Sequence, residues 1–412
     1  MLHLAVVFPT DVHCLAMVQA ANPAAGRYPI AAVAMALMLA SSLLPTPLFE
    51  LYHRTWNLTP ADTSIVFAVY AASLIPSLLF LGGLSDSIGR RRTILLAFAL
   101  LAIASLVFAL ADGLRWLIVA RIIQGLAMGL GTGAAAAAIR EWMTEAQRVH
   151  AAAITVLATG GGSAAGALLG GVLAEYGPHP LALPYFVMIG LLACGALAVA
   201  TVPSCPHLHP AGLSAVLHVP GSIRRPFTIA ATQSFIGWST FAIFIALVPS
   251  FLARALDLRS LLVGAFVITI VQVGSVSASL AAQNLPPRTA IIGAMLALGA
   301  GVWLLLIAIS LRAELLVAIA ALIAGAGGGV SYLSGLSIIG TIAPPEHRAE
   351  TMSAYLVACY LGFSIPALGI GIASTYFGLN AAFIVAAIIL GLIAIGISLL
   401  TTTRNLTPTP TP

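Results

Sequence analysis

Apolar runs of roughly the length that a helix needs to cross a bilayer, about 20 residues, recur from one end of the chain to the other with only short polar turns between them. They lie near 29–50, 63–84, 94–111, 116–138, 151–174 and 181–202, and again near 227–252, 261–282, 290–310, 315–341, 352–374 and 380–400. Inside lipid only helices and closed barrels satisfy their own backbone polar groups. Barrel strands alternate in polarity over about ten residues, whereas these runs are continuous and twice as long. The pattern predicts an all-α membrane protein with twelve transmembrane helices.

Composition leaves little room for another reading. Of 412 residues, 60% are hydrophobic and only 7% charged, against roughly a quarter charged in a water-soluble domain. Most of the surface must therefore face lipid. All 17 basic residues are arginine. Without lysine there is no Walker-type phosphate loop and no Schiff-base chemistry, which excludes an ATP-driven pump in this chain and argues against an enzyme. The net charge of +5 is spread through turns rather than gathered into a stripe that would bind nucleic acid. Cys14, Cys194, Cys205 and Cys359 show no CxxC spacing, and Cys205 with His207 and His209 lacks a fourth ligand in a proline-broken segment. No metal and no cofactor are expected.

The two sets of six runs repeat each other. At a shift of 200 residues Asn57-Leu58 falls on Asp257-Leu258, Gly125 on Gly325, Gly129 on Gly329 and Arg148 on Arg348. Two pseudo-symmetric six-helix bundles, 29–202 and 226–402, joined by a linker at 203–225, are the natural organisation, and transporters commonly place their substrate site between such repeats. Residues 1–28 form a tail (an upstream start-site extension or a flexible cytoplasmic segment), and 403–412 form a second tail. With the N-terminus inside, cytoplasmic segments hold Arg27, Arg90, Arg91, Arg92, Arg140, Arg148, Arg224, Arg225, Arg288, Arg348 and Arg404. External turns then hold Arg54, Arg115, Arg254, Arg259 and Arg312, and Arg121 lies within a span. This excess predicts cytoplasmic N- and C-termini in a multi-pass protein of the cell inner membrane.

Four local patterns carry more than anchoring. The turn after the second run reads Gly82-Gly83-Leu84-Ser85-Asp86-Ser87-Ile88-Gly89-Arg90-Arg91-Arg92-Thr93; Gly82 and Gly89 give it backbone freedom, and Asp86 sits among arginines that can hold it. In the fourth run, Arg121 precedes Gln124 and Gly125 by one helical turn, and a guanidinium at that depth must face protein or a water-filled cavity. Glu141 and Arg148 follow in the next turn. The fifth run carries Gly162, Gly166, Gly170 and Gly171, a spacing that lets two helices approach closely.

The 82–93 turn resembles the signature loop of the major facilitator superfamily: Leu84, Asp86, Gly89, Arg90 and Arg91 match, while Ser87 departs from the basic residue common after the aspartate. The resemblance implies twelve helices in two bundles rocking about a central cavity. It implies for Arg121 the family's span-four arginine, associated with proton coupling in antiporters, and for Asp86, Arg90, Glu141 and Arg148 an ionic latch. Separately, Asp86 is expected to meet the N-terminus of span eleven near Thr351, where the helix dipole favours an anion. The fifth-run glycines are similar to those of the drug:proton antiporter branch, with Ala167 where that branch has proline.

No Asp or Glu lies in the middle of any run. Proton relays use intramembrane carboxylates, so Glu50, just after the Pro45-Thr46-Pro47 break, is the candidate beside Arg121. Asp62 after Thr59-Pro60 has the form of a helix cap. By the same resemblance spans one, four, seven and ten line the cavity, which makes Ser41, Ser42, Thr46, Arg121, Gln124, Gln233, Trp238, Phe241 and Tyr332 the candidate lining. Phe235, Trp238, Phe241 and Phe244 recur every three residues as one drifting stripe that serves packing or ligand. The expected activity is secondary active transport by alternating access: proton-coupled efflux of a hydrophobic, drug-like or metabolic small molecule. The alternatives are a symporter importing a sugar or organic acid, with Arg121 on an anionic substrate, and a non-transporting membrane sensor or scaffold. The expected partners are the small-molecule substrate, protons and the lipid bilayer, for a monomer.

Overall fold

Proline and polar residues end these apolar helices where the sequence places them. The computed structural model describes residues 24–203, 217–246 and 260–403. Helix α1 (Tyr28–Leu43) stops at a five-residue turn and resumes as α2 (Phe49–Trp56), so the first run is broken rather than continuous. The cause is Pro45 and Pro47, which have no N–H to continue the ladder. Helix α3 (Pro60–Leu81) opens on the predicted cap, with Asp62 N donating to Thr59 Oγ1 at 3.2 Å and Thr59 N donating to Asp62 Oδ2 at 2.7 Å. A short α4 (Leu84–Ile88) precedes α5 (Arg90–Ala109), α6 (Leu114–Glu141), α7 (Ala151–Tyr176) and α8 (Leu183–Ala200). The second half holds α9 (Arg224–Ala246), α10 (Leu261–Ala281), α11 (Pro287–Leu311), α12 (Glu314–Ile342), α13 (Arg348–Phe377) and α14 (Leu379–Thr403). Among the described residues eleven helices are long and apolar enough to cross a membrane; the broken first run adds the twelfth crossing. Residues 1–23, most of the linker (204–216, with Cys205, His207 and His209), 247–259 with Asp257-Leu258, and 404–412 lie outside the described residues.

The helix pairings in one half reappear in the other. In the first, α1 packs on α7 and α6, α3 and α5 pack on α6, and α5 packs on α8; in the second, α9 packs on α13 and α12, α10 and α11 pack on α12, and α11 packs on α14. The 200-residue shift is visible at the level of single side chains. A Cβ at Gly125 or Gly129 would run into α3, at Leu74 N (3.1 Å) and Leu74 O (2.7 Å). At Gly325 or Gly329 it would run into α10, at Val271 Cα (2.9 Å) and Ser279 Oγ (2.7 Å). Short 3-10 turns, Glu145–His150 and Pro345–His347, precede α7 and α13. Across the molecule the halves meet through α7 on α10 and through α3 on α13.

The seam between α1 and α7 is a ladder of glycines. Added Cβ atoms at Gly162 and Gly166 would stand 2.6 and 2.5 Å from the Cα atoms of Ala36 and Ala40, and one at Gly170 would stand 3.2 Å from the Leu44 carbonyl carbon. Three rungs four residues apart on each helix leave only backbone between the two axes, the geometry that small-residue spacing permits in a membrane. Gly171 faces elsewhere, towards Ala265 of α10 in the other half. With Ala167 in place of proline, α7 runs without interruption. Apolar side chains such as Leu197, Leu315 and Leu392 are turned outward, as lipid-facing positions require. Helices α6 and α9 bury 61% and 67% of their most apolar stretches, against 33–44% for the other nine, which puts spans four and seven at the centre.

Candidate functional site

The central site begins with the Pro45-Thr46-Pro47 break. In an unbroken helix the carbonyl of Ser41 would accept from residue 45 and that of Ser42 from residue 46. Pro45 has no N–H, and Thr46 N turns to Leu43 O instead (3.0 Å). Two carbonyls are thus released inside the membrane, where each needs a donor. Helix α6 supplies both: Gln124 Nε2 donates to Ser41 O (2.9 Å) and Arg121 Nη1 to Ser42 O (3.2 Å), while Arg121 Nη1 also donates to Gln124 Oε1 (2.6 Å). Arg121 is only 2% exposed. A guanidinium this deep serves here as the missing hydrogen-bond partner of a broken helix.

Its remaining surroundings are aromatic. The guanidinium carbon lies 5.2 Å from the ring centre of Phe67, 5.5 Å from those of Phe49 and Tyr70, and 5.7 Å from that of Phe108, within the range where a ring face attracts a cation. No carboxylate lies within salt-bridge distance of it among the described residues, and Nε and Nη2 carry no hydrogen bond. Phe108 stacks on Tyr185 at 5.0 Å, whose hydroxyl meets that of Tyr52 at 2.5 Å, and Tyr52 stacks on Trp56 at 4.8 Å.

From this cage an aromatic seam crosses into the second half. Phe363 of α13 lies 6.1 Å from Phe67 and 6.5 Å from Tyr70, and 6.2 Å from Trp238. Trp238 in turn meets Tyr360 (5.0 Å), Tyr332 (5.7 Å) and Phe241 (6.5 Å). Trp238, Phe241, Tyr332 and Tyr360 are half-buried. Of the predicted stripe, Trp238 and Phe241 join this seam, Phe244 is buried in the core, and the Phe235 backbone seats Gly362. Gln233 is buried and donates from Nε2 to Ser334 Oγ (3.2 Å), while its Oε1 has no partner among the described residues. Ser42 donates to the Tyr70 hydroxyl (3.1 Å), and Thr46 and Ser41 keep buried hydroxyls without partners among the described residues.

Glu50 stands in the first turn of α2, with Oε1 taking Arg54 Nε at 3.1 Å and Oε2 buried and without a hydrogen bond among the described residues. At the other end of the bundle Arg90 is the hub. Its Nη1 reaches Asp86 Oδ1 (2.5 Å) and Ser85, while its Nε and Nη2 grip Glu141 at 2.9–3.2 Å. Three expectations are corrected here. Arg148 pairs with Glu145 (2.6 Å) rather than closing on Glu141, because the 3-10 turn brings Glu145 alongside it. Thr351 donates to the His218 carbonyl (3.2 Å) and not to Asp86, which Arg90 already holds. Gly82 has ordinary helical angles (φ −56°), so only Gly89, at φ +94°, needs a glycine's freedom. Arg91 takes no part in the ion pairs among the described residues.

Of the residues expected from sequence, the structure brings Arg121, Gln124 and Ser42 together at the broken first helix and places Trp238 and Tyr332 in the seam and Gln233 beside Ser334; the cage of Phe49, Phe67, Tyr70 and Phe108 and the bridging Phe363 were not among them. The three-residue spacing of Tyr360 and Phe363 was the one signal available for the latter.

Two pseudo-symmetric six-helix bundles with a polar and aromatic centre define the architecture of a multi-pass membrane protein. The chain belongs to the Major Facilitator Superfamily, whose family model matches residues 30–365 and 229–412. Similar proteins include the inner membrane transport protein YnfM of Escherichia coli (27% identical over 175 residues) and the class D tetracycline resistance protein of Salmonella ordonez (31% over 170 residues). Each match covers 40% of this chain and spans only 40% and 41% of the respective relative. Among solved structures, a bacterial homologue of the human lysosomal transporter Spinster, inward-facing and occupied, superimposes with a TM-score of 0.71 at 15% identity, covering 93% of this chain and 98% of its own. The nucleoside transporter NupG gives 0.70 at 12%, covering 90% and 98%.

Proposed function

We propose that this protein is a secondary active exporter working by alternating access, which couples proton entry to the efflux of an aromatic or apolar small molecule. The observation that carries this reading is the aromatic seam running from the Arg121 cage to Trp238 and Tyr332, a largely apolar wall with a few placed polar groups, as small-molecule sites have. It is supported by a relative named for resistance to tetracycline. In this reading the units are 29–202 and 226–402 about a 203–225 linker. The arginine-rich turns and both termini face the cytoplasm of the inner membrane, and the Asp86–Arg90–Glu141 cluster biases the cytoplasmic gate. Such half-exposed pairs contribute about 0–1 kcal/mol each, enough to tilt a balanced equilibrium.

Glu50 carries the proton. Its Oε2 is already withdrawn from water, and protonation would release Arg54. The test is flux in proteoliposomes with an imposed proton gradient across a set of aromatic compounds. Uphill extrusion that collapses with an ionophore is expected, and a Glu50→Gln variant should equilibrate the compound without accumulating it. Uptake with protons would reverse the assigned direction, and no flux under any gradient would leave a sensor or scaffold.

A further inference from the structure

We infer that the cargo bears a carboxylate, which docks side-on against the Nε and Nη2 edge of Arg121 while its apolar body lies along the Phe67–Phe363–Trp238 seam. This rests on the transport reading and names its substrate class. The argument starts from charge. A buried guanidinium is tolerated when its hydrogen bonds and its charge are met. Nη1 is met by Ser42 O and Gln124 Oε1. Nε and Nη2 are buried and meet nothing among the described residues. Four ring faces attract the cation from around its plane but cannot accept along that edge.

Among the described residues no acidic side chain is placed to do so. The acidic side chains among the described residues, Glu50 included, lie in turns or near helix ends. The countercharge must therefore arrive with the ligand. The Nε–Nη2 edge is the one that presents two parallel N–H groups and takes a carboxylate in bidentate fashion, and this protein uses the same edge of Arg90 to hold Glu141. An exporter of organic cations would need the opposite arrangement, a buried carboxylate facing the seam.

The test is binding to purified full-length protein, with no gradient applied, using matched probes: naphthoate, naphthamide and naphthylmethylammonium, followed by tryptophan fluorescence and thermal shift. The expected result is tighter binding of naphthoate than of naphthamide by about tenfold or more, as a charge-assisted bidentate pair requires, with the ammonium weakest. Arg121→Gln should erase the preference. Arg121→Lys, which keeps the charge but not the fork, should reduce it, and serves if the glutamine variant does not fold. Equal or tighter binding of the amide or the ammonium, failure of naphthoate to bind, or a preference that survives both variants would overturn the inference. Because no flux is measured, a protein that prefers the anion but moves nothing would sink the transport reading alone.

Discussion

At the scale of single residues, the centre of this protein is a repair. Two carbonyls released by a proline break are taken up by Gln124 and Arg121, so these side chains hold the first helix in its broken form before they do anything for a ligand. Replacing Gln124 with leucine should leave Ser41 O without a donor and lower stability by about 1–3 kcal/mol, the cost of an unpaired buried polar group. Thermal unfolding in detergent would show it as a lower midpoint, and an unchanged midpoint would mean that another donor reaches Ser41. Arg121, Gln124 and the 82–93 turn are legible in the sequence, because a charge inside an apolar run and an aspartate among arginines stand out against their surroundings. The cage is not. Phe49, Phe67, Tyr70 and Phe108 come from three different helices, and a phenylalanine in an apolar run carries no mark of which way it faces.

Elements obey the same distinction. The Pro45-Thr46-Pro47 break is written in the chain, yet a reading by hydropathy carries the helix through to residue 50, because apolar composition continues while hydrogen bonding does not. Pro45→Ala restores an N–H opposite Ser41 O. The expected outcome is a new, slowly exchanging amide at position 45, as α1 extends at the expense of the Gln124 bond; fast exchange of that amide would show that Pro47 alone imposes the break. The α1–α7 ladder gives the second prediction. Gly166→Leu must push its side chain into the Ala40 backbone, and overpacking costs about 1–3 kcal/mol, so the variant should melt lower. Gly161, where a Cβ meets nothing within 4 Å, is the control position: leucine there should leave the midpoint where it was.

For the whole molecule, the 200-residue repeat extends to the contacts between halves. Gly171 of α7 faces Ala265 of α10, and Gly371 of α13 faces Ser64 of α3; in both cases a late glycine of one half's fifth helix meets the start of the other half's second. Paired close approaches of this kind let two bundles turn on each other without side chains interlocking. If the halves rock here, a Gly171→Cys, Ala265→Cys double variant should cross-link under oxidant, lose flux, and regain it on reduction. Cross-linking with full flux would place the movement elsewhere.

The sequence by itself determined the membrane, the number of crossings, the repeat, the arginine-rich 82–93 turn and the buried arginine. Each of these is fixed by local quantities: run length against bilayer thickness, the positions of glycine and proline, the rarity of charge. Only the tertiary structure decided that Glu141 belongs to Arg90 and Arg148 to Glu145, that the arginine braces a broken helix, and that scattered rings join into one path between the bundles. Those are matters of distance between segments remote in the chain, and in an interior where nearly every residue is apolar, hydropathy does not say which neighbour a side chain will meet.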